Sequence, residues 1–209
     1  MCDVQYDLFS FNTRGLGGKI KRNAIFNHLK MKSSKGIYLL QETHSCPEFE
    51  STWKKEWGGD IFFSHSTRDS CGTAILLSPG LDITCIEEPT NHEGRTQFLR
   101  INANNPDSDT LIVNVYAPTR NKVDEQISFL DKLKDQLKTF EYVHLLMGGD
   151  WNTIFNPKLD KQGGNMINCT NQYTQDLVNF METYELVDII RLTHPDKNIY
   201  SSTKEPCCT

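Results

Sequence analysis

The sequence predicts an α/β fold in which two packed, mainly antiparallel β-sheets are flanked by helices. Eight short apolar runs rich in β-branched and aromatic residues predict strands, because these residues suit a half-buried pleated surface. Four longer stretches repeat apolar residues every three or four positions, which is typical of amphipathic helices. Several mid-chain strands follow one another without a helix between them, and this arrangement favours antiparallel pairing over a doubly wound parallel sheet.

Turn residues such as Ser78-Pro79-Gly80 and Asn104-Asn105-Pro106-Asp107 separate several of the predicted strands. In chain order the strands cover residues 6–11, 36–40, 61–63, 73–77, 83–86, 97–101, 110–116 and 143–147. The predicted helices carry four apolar stripes, which we interpret as core packing: Ile20, Ala24, Ile25 and Leu29; Phe49, Trp53 and Trp57; Ile127, Leu130, Leu133, Leu137 and Phe140; Tyr173, Leu177, Phe180 and Tyr184.

The composition is that of a globular chain with enough apolar residues for a core. Hydrophobic residues make up 37% of the 209 positions and aromatic residues 10%, and we expect one domain over residues 1–209. The net charge of −5 argues against a free-standing DNA-binding module, which is usually basic. It argues only weakly against a nuclease, which needs carboxylates for a metal and must release its product.

The cysteines and the apolar runs indicate where the protein works. The seven cysteines contain no C-x-x-C pair, so buried thiols in a reducing compartment are favoured over a zinc site. No stretch is long and apolar enough to predict a membrane span, and the N-terminus does not resemble a signal peptide. We therefore expect an intracellular protein with no membrane partner.

Polar residues collect where four of the predicted strands end. Asn12 follows the first strand, Glu42 the second, Tyr116 ends the seventh, and Asp150 with Asn152 follows the eighth. Loops at strand ends commonly build sites, and oxygen ligands of this kind suit a hard cation such as Mg²⁺.

Taken singly, each of these residues is a weak signal with a structural interpretation of its own. Asn12 fits a turn and Glu42 the N-terminus of a helix. Tyr116 fits a core position with its hydroxyl at the rim, and Asp150 with Asn152 fits an Asx turn. Only the ordered set of four strand ends favours a functional site.

That ordered set resembles the endonuclease/exonuclease/phosphatase superfamily, which includes DNase I-like nucleases. The matching segments are Asn12, Gln41-Glu42-Thr43, Asn114-Val115-Tyr116-Ala117-Pro118 and Gly149-Asp150-Trp151-Asn152, with a glycine-containing central strand at residues 72–76. Residues 159–164 resemble the L-D-R-x-G-G segment of retrotransposon endonucleases, and residues 188–195 resemble their D-x-x-R-x-x-H-P segment. The resemblance spans nearly the whole chain and implies a DNase I-like four-layer sandwich.

The resemblance also implies a role for each residue of the set. Glu42 would be the main ligand of Mg²⁺ or Mn²⁺, with Asn12 near the metal and a phosphate oxygen. Asp150 would orient or deprotonate the attacking water, Asn152 would hold that water or the scissile phosphate, and Tyr116 would donate to the phosphate or the leaving oxygen. These roles meet the needs of phosphodiester hydrolysis.

The chain departs from the family pattern towards its C-terminus. The D-x-x-R-x-x-H-P segment is followed by Tyr200-Ser201-Ser202-Thr203 instead of a Y-T-W-like strand, and the family's S-R-[IL]-D and D-H motifs do not occur in the 209 residues. We therefore expect an incomplete domain without its terminal strands and without the family's second catalytic Asp and its His. His44, Arg191 and His194 are the supporting candidates, although Arg191 and His194 fit a structural corner better.

The resemblance implies an enzyme: a metal-dependent endonuclease domain of a non-LTR, LINE-type retrotransposon that nicks DNA. It implies DNA as a partner, a reverse transcriptase domain in the parent protein and a nuclear site of action. We expect the truncated chain to be inactive or impaired. The alternatives are a non-catalytic remnant or interaction module, or another phosphoesterase of the superfamily, such as an abasic-site repair nuclease or an inositol phosphate phosphatase.

Overall fold

The computed structural model describes residues 5–66, 70–87, 91–102, 106–160 and 171–198. The chain divides into two compact units. The first comprises residues 1–117 and 136–151, and the second comprises residues 118–135 and 152–209.

The first unit contains a four-stranded sheet in which only the first pair of strands is parallel. Its strands are β1 (Asp7–Asn12), β2 (Gly36–Gln41), β3 (Ile61–Ser64) and β4 (Thr73–Leu77), in the order β1-β2-β4-β3. Strands β1 and β2 run parallel, with Asn12 opposite Gln41, so the polar residues that end both strands lie at the same end of the sheet.

The second sheet belongs to the same unit. Its strands are β5 (Thr84–Glu87), β6 (Asn91–His92), β7 (Thr96–Asn102), β8 (Thr110–Tyr116) and β9 (His144–Asp150). The order is β5-β7-β8-β9, with β6 also paired to β7, and only β8 and β9 run parallel. The predicted class, two mainly antiparallel sheets flanked by helices, is confirmed.

Apolar side chains from the facing surfaces of the two sheets form one continuous core. The members are buried, with at most 3% of any residue exposed: Ile37, Leu39, Ile75 and Leu77 from the first sheet, and Leu99, Ile101 and Ile112 from the second. At about 25 cal/mol per Å² of apolar area, such burial is the main force holding two sheets together.

Helices α1 (Lys19–Lys32) and α2 (Glu50–Trp57) cover the other face of the first sheet. Here aromatic rings meet edge to face, with the centroids of Phe26 and Trp57 5.5 Å apart. The predicted face of α1 was wrong in part, because Ile20 is 88% exposed and Arg22 is buried instead. Phe49 lies in a 3₁₀ turn before α2 and is 39% exposed, so it is not part of the buried stripe.

The second unit holds most of helix α3 (Val123–Leu137) together with α4 (Pro157–Asp160), α5 (Gln172–Thr183) and α6 (Ile189–Thr193). Helix α5 begins with a capping box, in which Asn171 accepts from the main-chain N of Thr174 at 3.0 Å. The predicted stripes of α3 and α5 are largely buried, but α3 ends before Phe140.

All eight predicted strands are present, with ends displaced by a few residues. The two-residue strand β6 was missed because it is too short to show any periodicity. Strand β9 continues through Gly148 and Gly149 to Asp150, three residues beyond the predicted end at Met147. The predictions that concern residues 104–105, 161–164 and 200–208 lie outside the described residues. None of the helices in the described ranges has the length and hydropathy needed to cross a membrane.

Candidate active site

Four of the predicted site residues are joined by hydrogen bonds at the ends of β1, β2, β8 and β9. The Nδ2 of Asn12 donates to Glu42 Oε1 and to Asp150 Oδ2, at 2.9 Å in each case. The hydroxyl of Tyr116 donates to the same Glu42 Oε1, also at 2.9 Å. A single amide nitrogen therefore lies between two carboxylates, and one of those carboxylates also accepts from the phenol.

The strand register brings these residues together. Asn12 ends β1 opposite Gln41, and Tyr116 ends β8 opposite Asp150. Both pairs are parallel, so both strands of each pair present their last residue at the same end of the sheet.

A buried amide pair links the two sheets directly beneath the site. Gln41 Nε2 donates to Asn114 Oδ1 at 2.8 Å, and Asn114 Nδ2 donates to the carbonyls of Leu40 and Ala74. Gln41 and Asn114 are 1% and 0% exposed, respectively. Since a buried amide is costly when it is unsatisfied, this network holds the two sheets in one alignment and fixes the distance between Glu42 and Tyr116.

The loop that carries Glu42 has a strained backbone. Glu42 and His44 adopt φ values of +51° and +52°, a conformation that costs non-glycine residues about 1–3 kcal/mol each. Main-chain bonds hold the loop on two sides: Gly15 N donates to Glu42 O at 2.6 Å, and His44 N donates to Cys71 O at 3.1 Å. The strain is thus maintained by neighbouring segments, and it sets the direction of the Glu42 side chain.

A glycine in β9 allows Asp150 to reach the site. Gly149 has a φ of +144°, and a Cβ added there would lie 1.9 Å from the carbonyl oxygen of Val115. No other residue fits between β8 and β9 at this position, so the glycine is required by the close approach of the two backbones.

The phenol of Tyr116 is held in its protonated form. Burial, together with the hydrogen bond to Glu42, raises the pKa of Tyr116 above its usual range. At neutral pH the hydroxyl is therefore a hydrogen-bond donor.

Asn152 and His44 were also predicted as site residues. Asn152 is the first residue of the segment 152–209 of the second unit, and its backbone φ is +49°. Its carbonyl accepts from Gln126 Nε2 at 3.3 Å. The ring of His44 lies beside Gly15, where an added Cβ would be 3.1 Å from Nδ1. The catalytic and metal-binding roles of all these residues stay predictions.

Arg191 and His194 form a corner of the second unit. Arg191 pairs with Asp160 and donates to the carbonyls of His194 and Lys197. Asp188 caps helix α6 by accepting from the main-chain N of Ile190 at 3.0 Å. The two segments that resemble retrotransposon endonucleases are thus joined by an ion pair between Asp160 and Arg191.

Arg95 was missed by the sequence analysis. Its guanidinium carbon lies 5.4 Å from the ring centroid of Tyr116. The sequence held one signal for it. The sixth and seventh predicted strands form an antiparallel hairpin, so residues just before the sixth strand are expected to lie opposite the end of the seventh, where Tyr116 is found.

Solved structures establish which fold carries this site. The chain aligns with the AP endonuclease LMAP from Leishmania major at a TM-score of 0.69 and 20% identity, covering 91% of this chain and 70% of that one. It aligns with the endonuclease domain of TRAS1, a telomere-specific non-LTR retrotransposon, at a TM-score of 0.59 and 17% identity, covering 85% and 71%.

The chain has the endonuclease/exonuclease/phosphatase fold. The resemblance stated from the sequence motifs is confirmed at this level. No family model matches the chain.

One curated protein is similar in sequence over most of the chain. It is the transposon TX1 uncharacterized 149 kDa protein of Xenopus laevis, with 29% identity over 188 residues. The alignment covers 90% of this chain but only 14% of that protein, so the chain corresponds to a small part of its relative's length.

Proposed function

We propose that this chain is the endonuclease domain of a non-LTR retrotransposon and that its parent protein nicks DNA by hydrolysing a phosphodiester bond with Mg²⁺ or Mn²⁺. The observation that carries the proposal is the hydrogen-bonded set of Asn12, Glu42, Asp150 and Tyr116. These residues come from four strand ends and lie up to 138 positions apart in sequence. The amide of Asn12 donates to both carboxylates, and Oε1 of Glu42 accepts from both Asn12 and Tyr116.

The donor set fits a hard divalent cation. Glu42 and Asp150 supply carboxylate oxygens. They are only two acidic side chains, and no group of three or more His, Cys, Asp or Glu residues suited to a metal occurs among the described residues. Magnesium commonly takes one or two protein carboxylates and completes its shell with water and substrate phosphate, so a small donor set suits it. Glu42 would hold the ion, with Asn12 beside it, and the bound ion would neutralise charge on the non-bridging phosphate oxygens.

The side chains supply the other requirements of hydrolysis. Asp150, whose Oδ2 accepts from Asn12, would orient a water molecule and accept its proton. Tyr116 keeps its proton near neutral pH and can donate to a phosphate or leaving oxygen. Asn152, two residues beyond Asp150, is the candidate for holding the water or the phosphate.

The retrotransposon context rests on the similarity to the transposon TX1 protein and on the two segments joined by the Asp160–Arg191 pair. We propose that the parent protein carries a reverse transcriptase domain and acts on chromosomal DNA in the nucleus.

A plasmid-nicking assay tests the proposal. Conversion of supercoiled DNA to the open-circular form should require Mg²⁺ or Mn²⁺ and stop with EDTA. Asp150→Asn and Glu42→Gln should each slow nicking by about 10²–10⁴-fold, the usual effect of removing a positioned catalytic group. Asp131→Asn is the matched control, because Asp131 is an exposed residue of α3 whose ion pair, among the described residues, is with Lys134 in its own helix.

The assay should be run on the 209-residue chain and on a chain extended by the downstream coding sequence, which tests whether further residues complete the site. Nicking by the extended chain alone would favour an impaired 209-residue form. Cleavage restricted to oligonucleotides with an abasic site would move the assignment to a repair nuclease, and release of phosphate from inositol phosphates would move it to a phosphatase. A metal-independent reaction, or nicking unaffected by Asp150→Asn, would refute the proposal.

A further inference from the structure

We propose that Arg95 is a positioning residue of this site, which holds the ring of Tyr116 so that its hydroxyl points at the reacting phosphate. This inference rests on the proposed nuclease function, because it assigns a role to Tyr116 as a hydrogen-bond donor.

Arg95 contacts Tyr116 through both its side chain and its main chain. The guanidinium carbon lies 5.4 Å from the ring centroid, within the distance at which a cation is attracted to an aromatic face. Arg95 Nη1 donates to the Tyr116 carbonyl at 3.3 Å, and Tyr116 N donates to the Arg95 carbonyl at 2.7 Å. The two residues face each other just beyond the ladder of β7 and β8, in which Thr96 pairs with Val115.

The backbone that carries Arg95 is fixed by its packing. Gly94 precedes it with a φ of +69°, and a Cβ added there would lie 2.6 Å from Ser66 Cβ and 2.7 Å from Gly72 N. Gly94 N also donates to Ser64 Oγ at 3.1 Å. This tight packing fixes the backbone of the turn. The Arg95 side chain therefore leaves the backbone at a fixed point relative to the ring of Tyr116.

The partner of Arg95 differs in kind from those of three other arginines that are buried or half-buried. Arg22, Arg100 and Arg191 each pair with a carboxylate, namely Glu56, Asp109 and Asp160. Within the described ranges, Arg95 has no carboxylate at ion-pair distance and lies on the tyrosine ring instead. The site contains two carboxylates, yet Arg95 contacts the ring of Tyr116. This contact is suited to fixing the ring.

The ring belongs to a buried residue, with 8% of Tyr116 exposed, and the contact with Arg95 adds to the hydrogen bond of its hydroxyl. The hydroxyl meets Glu42 Oε1 at 2.9 Å, and that oxygen also accepts from Asn12. When a phosphate oxygen competes for the phenolic proton, the hydrogen bond to Glu42 is weakened, whereas the contact on the face of the ring remains. We expect loss of the face contact to reduce turnover more than substrate binding.

The test is a double-mutant cycle between Arg95 and Tyr116, measured by plasmid nicking. Arg95→Gln should lower kcat by about tenfold with little change in KM, and Arg95→Lys should recover part of the loss because it returns a cation without the planar guanidinium. In a Tyr116→Phe background, Arg95→Gln should have no further effect on kcat. Equal fold losses in both backgrounds would show that Arg95 does not act through the phenol.

Arg100→Gln, on the strand β7 that follows Arg95, is the matched control. It breaks the pair with Asp109 and should lower the melting temperature without changing kcat. If Arg100→Gln lowers kcat as much as Arg95→Gln does, the effect is general destabilisation and the inference fails.

A measurement independent of activity separates this inference from the proposed function. With ¹³C-labelled tyrosine, the ring resonance assigned to Tyr116 by its absence in Tyr116→Phe should shift in Arg95→Gln and stay in place in Arg100→Gln. Absence of nicking by both the 209-residue chain and the extended chain would refute the proposed function, while this shift would still support the placement of the ring. An unshifted resonance in Arg95→Gln would overturn the inference whatever the activity.

Discussion

Asn12 is the residue whose replacement tests the site most directly. Its amide nitrogen lies between Glu42 Oε1 and Asp150 Oδ2, so these two oxygens are no farther apart than twice 2.9 Å. Near neutral pH, two negative charges about 5 Å apart at an effective dielectric constant near 20 repel by about 3 kcal/mol. The amide offsets this repulsion by donating one hydrogen to each carboxylate.

Asn12→Ala removes both hydrogen bonds to the carboxylates, together with the one that Asn12 Oδ1 accepts from Arg14 N at 3.1 Å. A hydrogen bond to a charged group contributes about 1.5–3 kcal/mol. Since the site is half-buried, we take the lower figure for each and expect a loss of about 3 kcal/mol in the free energy of unfolding. For a chain of this size the melting temperature should fall by about 6–12 °C.

Asn12→Asp should be more destabilising in EDTA, because it adds a third carboxylate where a donor stood. A divalent cation should reverse part of this loss, since binding at a hundredfold excess over its Kd contributes about 2.7 kcal/mol. Thermal unfolding in EDTA and in Mg²⁺ measures both effects. Asn27→Ala, at an exposed position of α1, is the control. An Asn12→Ala melting temperature equal to that of wild type, or no effect of Mg²⁺ on Asn12→Asp, would refute the reasoning.

Two further predictions concern the supports of the site. The hydrogen bond from Arg22 lowers the pKa of the Glu56 carboxyl from its usual 4.5, so the pair's stabilisation is fully present above that pH and is lost as the pH falls through the lowered value. Glu56→Gln should therefore cost about 2 kcal/mol at pH 7 and much less in strong acid, and urea unfolding that shows the same cost at every pH would contradict this. Gly149→Ala should lower stability by about 3 kcal/mol or more and abolish nicking, because the new Cβ meets the Val115 carbonyl at 1.9 Å. Gly17→Ala, where an added Cβ meets nothing within 4 Å, should unfold like wild type, and equal melting temperatures for the two variants would show that the clash is relieved.

The sequence pattern predicted the strands well and helix α1 less well. Strands were recognised because β-branched runs between turn residues are a local signal. On α1, Ile20 was expected inside on the basis of spacing alone, yet Arg22 is buried, because its guanidinium pairs with Glu56 and donates to the carbonyls of Leu16 and Gly17. Burial of a charge depends on partners supplied by distant segments, and no periodicity predicts that.

The candidate site was found through motif order, whereas its supports were not. Glu42 and Asp150 were named because carboxylates at strand ends suit a cation. Arg95 was not, since an arginine in a short turn has no local mark of function. The buried pair of Gln41 and Asn114 was present in the matching segments, but its bonding across the two sheets follows only from their packing.

The sequence by itself determined the fold class, the order of the motif residues and the chemistry that each can perform, because these depend on residue type and local spacing. Only the tertiary structure decided that Asn12 bridges Glu42 and Asp150 and that Arg95 lies on the ring of Tyr116. Such contacts join residues up to 138 positions apart, and their lengths are set by the registers of β1 with β2 and of β8 with β9 and by the packing between the two sheets. A register shift of one residue would turn each side chain to the opposite face, so the site exists only once both sheets are paired and packed.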